Sequence, residues 1–520
     1  MSPEDTGRGQ RAARAVVKRR VEVDPPLPPR WVLARHGARI LDPATAVAAA
    51  DVKRVRPTAY VGDRLLVSPD AANRQVVALL DRTAEGIGWG IGIRRQPELD
   101  ERRGPVPLVI ELTVRAGAAT PAPDGWTLLQ AARAEHGVEA LSGVGLDHLL
   151  TVSPGLGANP YHESHPYHES HPYHESHAGA LGSYAMAGFG GRQPVAVVGQ
   201  RPRREERVAG RRPVVAVLDT GCASHPWLDD VVRTDVSIDG APLGLPDTVI
   251  DAEVHGDVMG PYDGELDEVA GHGTFIAGLV HQMCPDADVL ALRIVHSDGV
   301  VVESELVVAL EALGELVRRA LSGEPGGQFV DVVNLSMGYY HETPADELFD
   351  HTMLTLLERL GEQGVAVVVS AGNDATGRPM FPAAFAPHPD GPAERPDCVP
   401  VTTVGALNPD GSVALFNNAG PWVRSWRTGA ALVSTMPPYT GGREPIARTT
   451  VQGQQRESID PDDFGGGFAV WSGTSFSSPV LAGEVAAALL ASGLPEKPTP
   501  LADCVERTRK ALAAVTSRGS

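Results

Sequence analysis

The sequence predicts an α/β fold built on a mainly parallel sheet, with a smaller α+β unit in front of it. Three observations point there. From Pro213 onward, short solid apolar runs alternate with longer amphipathic or glycine-punctuated stretches, and strands apolar on both faces belong to parallel sheets covered by helices on both sides. Before Pro213 the patterns are fewer, and they alternate strand, helix, strand, helix, strand. The chain has 520 residues, 42% of them hydrophobic, which is enough for more than one core, while 57 Gly and 44 Pro mark it as rich in loops.

Residues 1–30 mix basic residues with a cluster of prolines at Pro25, Pro26, Pro28 and Pro29, a composition that favours an extended or disordered arm over a packed element. Residues 31–155 form the small α+β unit. Ala59–Ser68 reads as a strand, Ala71–Gly86 as an amphipathic helix, Pro107–Val114 as a strand, Trp126–His136 as a helix and Leu149–Val152 as a last strand. Residues 156–212 are a linker. It holds a perfect triple repeat of Pro-Tyr-His-Glu-Ser-His from Pro160 to His177 and a run from Arg201 to Arg212 with six arginines in twelve residues. The arginine run reads as a solvated charged stretch or a protease-sensitive junction.

Within the repeat, His162, His165, His168, His171, His174 and His177 recur at every third residue. A polyproline chain would line them up about 9 Å apart. A metal ion needs its ligands about 2 Å away, so a straight chain cannot wrap one. The repeat reads as a solvated linker, with transition-metal binding by the six histidines as the alternative.

Residues 213–516 carry the parallel sheet. Its strands are expected at Val214–Leu218, Val289–Val295, Val330–Leu335, Val365–Val369 and Val399–Val404, with helices at Ser304–Leu321 and Phe349–Gly361. In such sheets ligands sit beyond the carboxyl ends of the strands.

Charge and targeting signals narrow the function. A net charge of −20 disfavours a nucleic-acid partner, whose binding needs cationic side chains. The arginines of the first forty residues are not followed by an apolar leader core. The longest apolar run, Val485–Leu494, is short of the ~20 residues that span a bilayer, so no membrane segment is expected. Cys222, Cys284, Cys398 and Cys504 are isolated, which suits free thiols and a cytoplasmic setting.

Three polar residues stand at predicted element ends. Asp219 closes the run V-V-A-V-L-D, where a carboxylate must be paired or hydrogen-bonded; alone it reads as a turn residue, a metal ligand or a catalytic group. His272 lies between glycines in G-H-G-T at the start of an apolar helix, and a lone histidine is usually structural. Ser475 opens the helix of G-T-S-F-S-S-P, where an N-cap would suffice. Together they supply an acid, an imidazole and a hydroxyl in the chain order Asp, His, Ser, one of the known permutations of a nucleophile, its base and the group that orients the base.

Four separated motifs then carry a resemblance. D-T-G at Asp219–Gly221, G-H-G-T at Gly271–Thr274, S-A-G-N at Ser370–Asn373 and G-T-S-F-S-S-P at Gly473–Pro479 make the chain from about residue 213 resemble the subtilisin-like serine peptidases. The resemblance implies a three-layer α/β/α catalytic domain and a serine endopeptidase acting through an acyl-enzyme. Ser475 would be the nucleophile, His272 the general base and then acid, Asp219 the orienting carboxylate, and Asn373 the oxyanion donor. Ser336, Met337 and Gly338 would belong to the strand that pairs with substrate, and Ala371 and Gly372 to the pocket for the residue before the cut. The family needs no cofactor for its chemistry. Many relatives bind calcium, but no calcium loop can be matched here.

The α+β unit resembles, in pattern only, the propeptides that accompany such peptidases as chaperones and inhibitors. The expected partners are therefore a polypeptide substrate and the chain's own N-terminal unit. The sequence departs from the simplest relatives in an acid-rich insertion, Asp229–Glu268, and a polar stretch, Thr435–Phe468, both expected near the cleft. Cys222, three positions after Asp219, reads as a buried cysteine, with a reactive thiol as the alternative. Two other functions remain open on the residues alone. One is a catalytically silent peptide-binding protein that uses the groove, and the other a sedolisin-like acid peptidase, whose histidine is replaced by a carboxylate.

Overall fold

The computed structural model describes residues 24–50, 52, 54–68, 74–94, 107–152, 191–260, 262, 264–344, 346–349 and 352–516. The basic arm up to residue 23 and the repeat with its histidines at 162–177 lie outside the described residues.

A seven-stranded parallel sheet organises the larger body, in the order Ser425–Thr428, Thr402–Leu407, Ala366–Ser370, Val332–Leu335, Val214–Asp219, Asp288–Arg293, Val232–Arg233. The strand Val214–Asp219 is buried throughout, and its side chains alternate between two cores. Val214, Ala216 and Leu218 pack with the helices Glu303–Ser322 and Thr352–Glu362 on one face. Val215 and Val217 pack with His272–Met283, Thr474–Ser492 and Leu501–Thr516 on the other. This is a three-layer α/β/α body, and each fully buried Val or Leu contributes about 1.5–3 kcal/mol to it. From Val214–Asp219 the chain first adds strands on one side and then crosses to the other. The carboxyl end at Asp219 therefore lies at the topological switch point, where a crevice opens.

Most expected elements appear with shifted ends. The apolar run at Val399 is not strand at its start, because Pro400 has no N–H to give a ladder; Val399 and Val401 are buried off the sheet, and the strand begins at Thr402. The edge strands Val232–Arg233 and Ser425–Thr428 are too short and polar for a pattern to reveal. One described helix, Thr474–Ser492, is long and apolar enough by composition to cross a membrane. Here it carries Ser475 and is mostly buried in the core of the body.

The N-terminal unit forms an antiparallel sheet in the order Val144–Thr151, Ala59–Val67, Leu108–Val114, Trp89–Ile93, with Ala38–Ile40 also on Ala59–Val67. The helices Arg74–Ile87 and Gly125–His136 bring Leu80, Ala84, Trp126 and Leu129 into a core of their own. The strand Trp89–Ile93 escaped the sequence reading because Gly90 and Gly92 fill its alternate positions, and glycine in a strand interior weakens the strand signal. The last strand begins at Val144, ahead of the apolar pair at Leu149.

This sheet does not end within the unit. Val300–Val302 of the larger body adds to it antiparallel, with Val300 opposite Thr151 and Val302 opposite Leu149. Thr151 and Gly338 then exchange both backbone hydrogen bonds at 3.0 Å. The seam beside this pairing is polar and buried. Asp147 accepts from the Ser304 amide and hydroxyl at 2.9 Å, and Arg133 pairs with Asp346 at 2.5 Å.

Candidate active site

Asp219 ends its strand fully buried, and His272 is the first residue of the helix His272–Met283. The two come together because the helix start can approach the strand end without a side chain between them. A Cβ on Gly273 would lie 2.1 Å from the Gly221 carbonyl oxygen. At this approach His272 Nδ1 donates to Asp219 Oδ1 at 2.7 Å. With Nδ1 engaged there, Nε2 is the ring nitrogen that remains to face a proton donor. Trp471 and Phe476 flank the ring, with centroids 5.7 and 5.2 Å away, and shield the pair from water.

Ser475 stands in the first turn of Thr474–Ser492, and its Oγ has no hydrogen-bond partner among the described residues. Ser475, His272 and Asn373 line one small cleft with Glu268, Val269, Trp471, Gly473 and Val152. Asn373 is oriented by its carbonyl oxygen, which accepts from the Thr474 amide and hydroxyl at 2.9 Å. With Oδ1 committed there, the amide nitrogen is the end of the side chain that can serve the cleft. The open volume is about 20 Å³, room for a single water, and Val152 of the N-terminal unit forms part of its lining. A roomier cavity of about 1320 Å³ lies between helix Leu501–Thr516 and residues 394–402, but it holds no histidine or serine–base pair.

The expected substrate residues take distinct places. Gly338 offers its backbone and is met there by Thr151. Met337 packs in the core. Ser336 Oγ donates to the Ser475 carbonyl at 3.0 Å and accepts from Asn334 at 3.1 Å, so it fixes the nucleophile helix against the sheet. Ala371 continues the sheet through a 3.0 Å bond to Val404, and the Gly372 amide donates to Thr474 Oγ1 at 3.1 Å. The six repeat histidines lie outside the described residues.

Sequence reasoning missed Glu253, because one carboxylate in an acid-rich insertion carries no signal of its own. Glu253 is buried behind the pair. It accepts from the Thr220 hydroxyl, from the Gly273 amide at 3.0 Å and from the Thr274 hydroxyl at 2.5 Å, so it ties the residues that follow Asp219 and His272 into one unit. Burial raises its pKa to about 7; the threonine hydrogen bonds oppose the shift and the Asp219 charge adds to it. Cys222 beside it is partly buried, and burial together with Glu253 lifts its thiol well above the ordinary range, the opposite of an activated nucleophile.

The raised Glu253 pKa gives a signed prediction. A carboxyl with a raised folded-state pKa holds a proton that the unfolded chain has already released, so its share of stability is present below pH 4.5 and lost as pH rises through about 7. The shift from 4.5 to about 7 corresponds to about 3 kcal/mol. Glu253→Gln stays neutral throughout, so its stability relative to the parent should improve from pH 4.5 to 7.5, read by urea unfolding in a Ser475→Ala background. A difference that does not move with pH would refute this.

The subtilase family model matches residues 210–513. The chain is 26% identical over 226 residues to the human membrane-bound transcription factor site-1 protease, covering 42% of this chain and 17% of that protein. It is 24% identical over 238 residues to the minor extracellular protease Epr of Bacillus subtilis (strain 168), covering 44% and 28%. It is 23% identical over 297 residues to the intracellular serine protease of Paenibacillus polymyxa, covering 55% and 69%. The chain thus spans less than a third of the length of the first two of these relatives. Among solved structures, fervidolysin from Fervidobacterium pennivorans, described as a keratinolytic enzyme related to subtilisin, is 18% identical with a TM-score of 0.43, over 87% of this chain and 60% of that one.

Proposed function

Because the chain belongs to the subtilase family, we propose that it is a serine endopeptidase whose nucleophile is Ser475, with His272 as its base and Asp219 orienting that base. The observation that carries this reading is the 2.7 Å bond from His272 Nδ1 to the buried Asp219, beside a helix start that brings Ser475 to the same cleft.

A serine hydroxyl attacks an amide only when a neighbouring base removes its proton. His272 Nε2 takes that proton and returns it to the leaving amine, while Asp219 stabilises the imidazolium formed in between. The Asn373 amide and the Ser475 backbone N–H stabilise the tetrahedral oxyanion. An extended polypeptide pairs with the backbone at Gly338, adding a strand as Thr151 does in the resting chain. No step calls for a metal or an organic cofactor.

The docked N-terminal unit supports a second part of the proposal, that it inhibits the enzyme in place. Thr151 holds the Gly338 backbone and Val152 lines the cleft, so a substrate strand and this unit compete for the same hydrogen bonds. On the far side of the undescribed segment, Arg192 donates to the Ala270 carbonyl at 2.9 Å and lies over the Trp471 ring. Val152 thus lines the cleft of Ser475, and Arg192 lies over Trp471, another residue of that lining, which favours cleavage within 153–212.

A fluorophosphonate probe tests the first part. Once the N-terminal unit is removed by limited proteolysis, Ser475 should be labelled, and labelling should vanish in His272→Ala. Failure to label a chain shown to be folded would favour the silent peptide-binding alternative. The sedolisin-like alternative requires a carboxylate where this chain has His272, and activity confined to strong acid would be its sign.

A further inference from the structure

At the seam between the N-terminal unit and the larger body, three elements bring metal-ligating side chains together away from the cleft. His148 comes from the strand Val144–Thr151, His341 and Glu342 from the loop after Val332–Leu335, and Glu303 opens the helix Glu303–Ser322. All four side chains are fully buried. His148 Nε2 lies 2.9 Å from Glu342 Oε2, and His341 Nδ1 lies 3.9 Å from the same oxygen. One ligand atom from each of His148, His341 and Glu342 falls within 4.8 Å of the others. Around a tetrahedral ion with bonds of about 2.0–2.1 Å, ligand atoms stand about 3.3 Å apart, so small side-chain rotations close the site.

A second observation points the same way. His148 Nδ1 is 2.8 Å from Glu303 Oε2, and Glu303 Oε1 accepts from the Tyr339 hydroxyl at 3.1 Å. A carboxylate on the far nitrogen of an imidazole is how metal-bound histidines are oriented and made more basic. Glu342 Oε1, fully buried, has no hydrogen-bond partner among the described residues. Such an orphaned carboxylate oxygen is costly unless something cationic meets it.

We propose that His148, His341 and Glu342 bind one divalent transition-metal ion such as zinc, with Glu303 orienting His148, and that this ion clamps the N-terminal unit onto the larger body. Two imidazoles and a carboxylate suit zinc, leaving one position for water or the second oxygen of Glu342. Because the ligands come from both units, the ion binds only when they are docked, and binding and docking reinforce each other. The clamp does not depend on the triad. It can fail while Ser475 is catalytic, and it can hold if Ser475 is silent.

The test uses the full-length Ser475→Ala chain, so that self-cleavage cannot remove the unit, with the six repeat histidines changed to Gln, so that the repeat cannot bind the probe. Zinc added and then dialysed should remain at one per chain and raise Tm by several degrees. Cobalt(II) in its place should give tetrahedral visible absorption. Glu303→Gln should weaken retention by about 10–100-fold. Where that variant fails to fold, zinc-edge X-ray absorption of the unchanged site should show two imidazoles and an oxygen ligand. No retained zinc and an unmoved Tm would overturn the clamp and leave His148 as an imidazolium shared by two carboxylates. Retention unaffected by a folded Glu303→Gln variant, or an edge spectrum without histidine, would overturn it too.

Discussion

Ser475→Ala, assayed after removal of the N-terminal unit, is expected to lower polypeptide hydrolysis by roughly four to six orders of magnitude, with folding unchanged. The deletion removes one oxygen from a nearly dry site and fills nothing in. Ser475 Oγ makes no hydrogen bond among the described residues, so no structural contact is lost with it. His272→Ala should cost a similar factor, and the double variant little more than either one, because nucleophile and base act as a unit. Asp219→Asn should cost about 10⁴-fold through the wrong imidazole tautomer. Asn373→Ala should cost less, about 10²–10³-fold in kcat, since one of two oxyanion donors remains. Measured as kcat and KM on a fluorogenic peptide, a Ser475→Ala enzyme retaining even about a hundredth of the parent rate would sink the assignment.

The candidate site was legible where its chemistry coincides with a chain motif. Asp219 is marked by the strand it ends, His272 by flanking glycines that the close helix approach requires, and Ser475 by the helix it opens. What supports these residues was not legible, since it is assembled from distant parts of the chain. Glu253 reaches the pair from an insertion, Thr474 turns Asn373, and Asn334 accepts from the Ser478 hydroxyl at 2.7 Å to pin the nucleophile helix to the central sheet. The same holds for the fold. Val214–Asp219, buried on both faces, reads clearly in the sequence, whereas Val300–Val302 closes another unit's sheet and so has no meaning until both units are folded. The buried ionic seam was invisible for the same reason: His148 and Glu342 are 194 positions apart.

The N-terminal unit should hold the uncut chain nearly inactive, with activity rising by at least an order of magnitude once the chain is severed behind Val152. Substrate and the N-terminal unit compete for one strand position. A substrate must displace Thr151 from Gly338, Val152 from the cleft, and the pairing of Leu149–Thr151 with Val300–Val302, and it must do so against a partner tethered to the same molecule. Tethering supplies an effective concentration in the millimolar range, which free substrate seldom matches. Cutting the tether leaves the contacts in place but lets the unit dissociate and be degraded. Thr151→Pro probes the contacts themselves, because it deletes the N–H that donates to Gly338. At about 0.5–1.5 kcal/mol for a lost hydrogen bond, it should raise the activity of the uncut chain by up to about tenfold. Mass spectrometry of the purified wild-type chain should find a break within 153–212 that is missing from Ser475→Ala. A wild-type chain that stays intact at full activity would show that this strand yields to substrate unaided, and the N-terminal unit would then be an accessory and not an inhibitor.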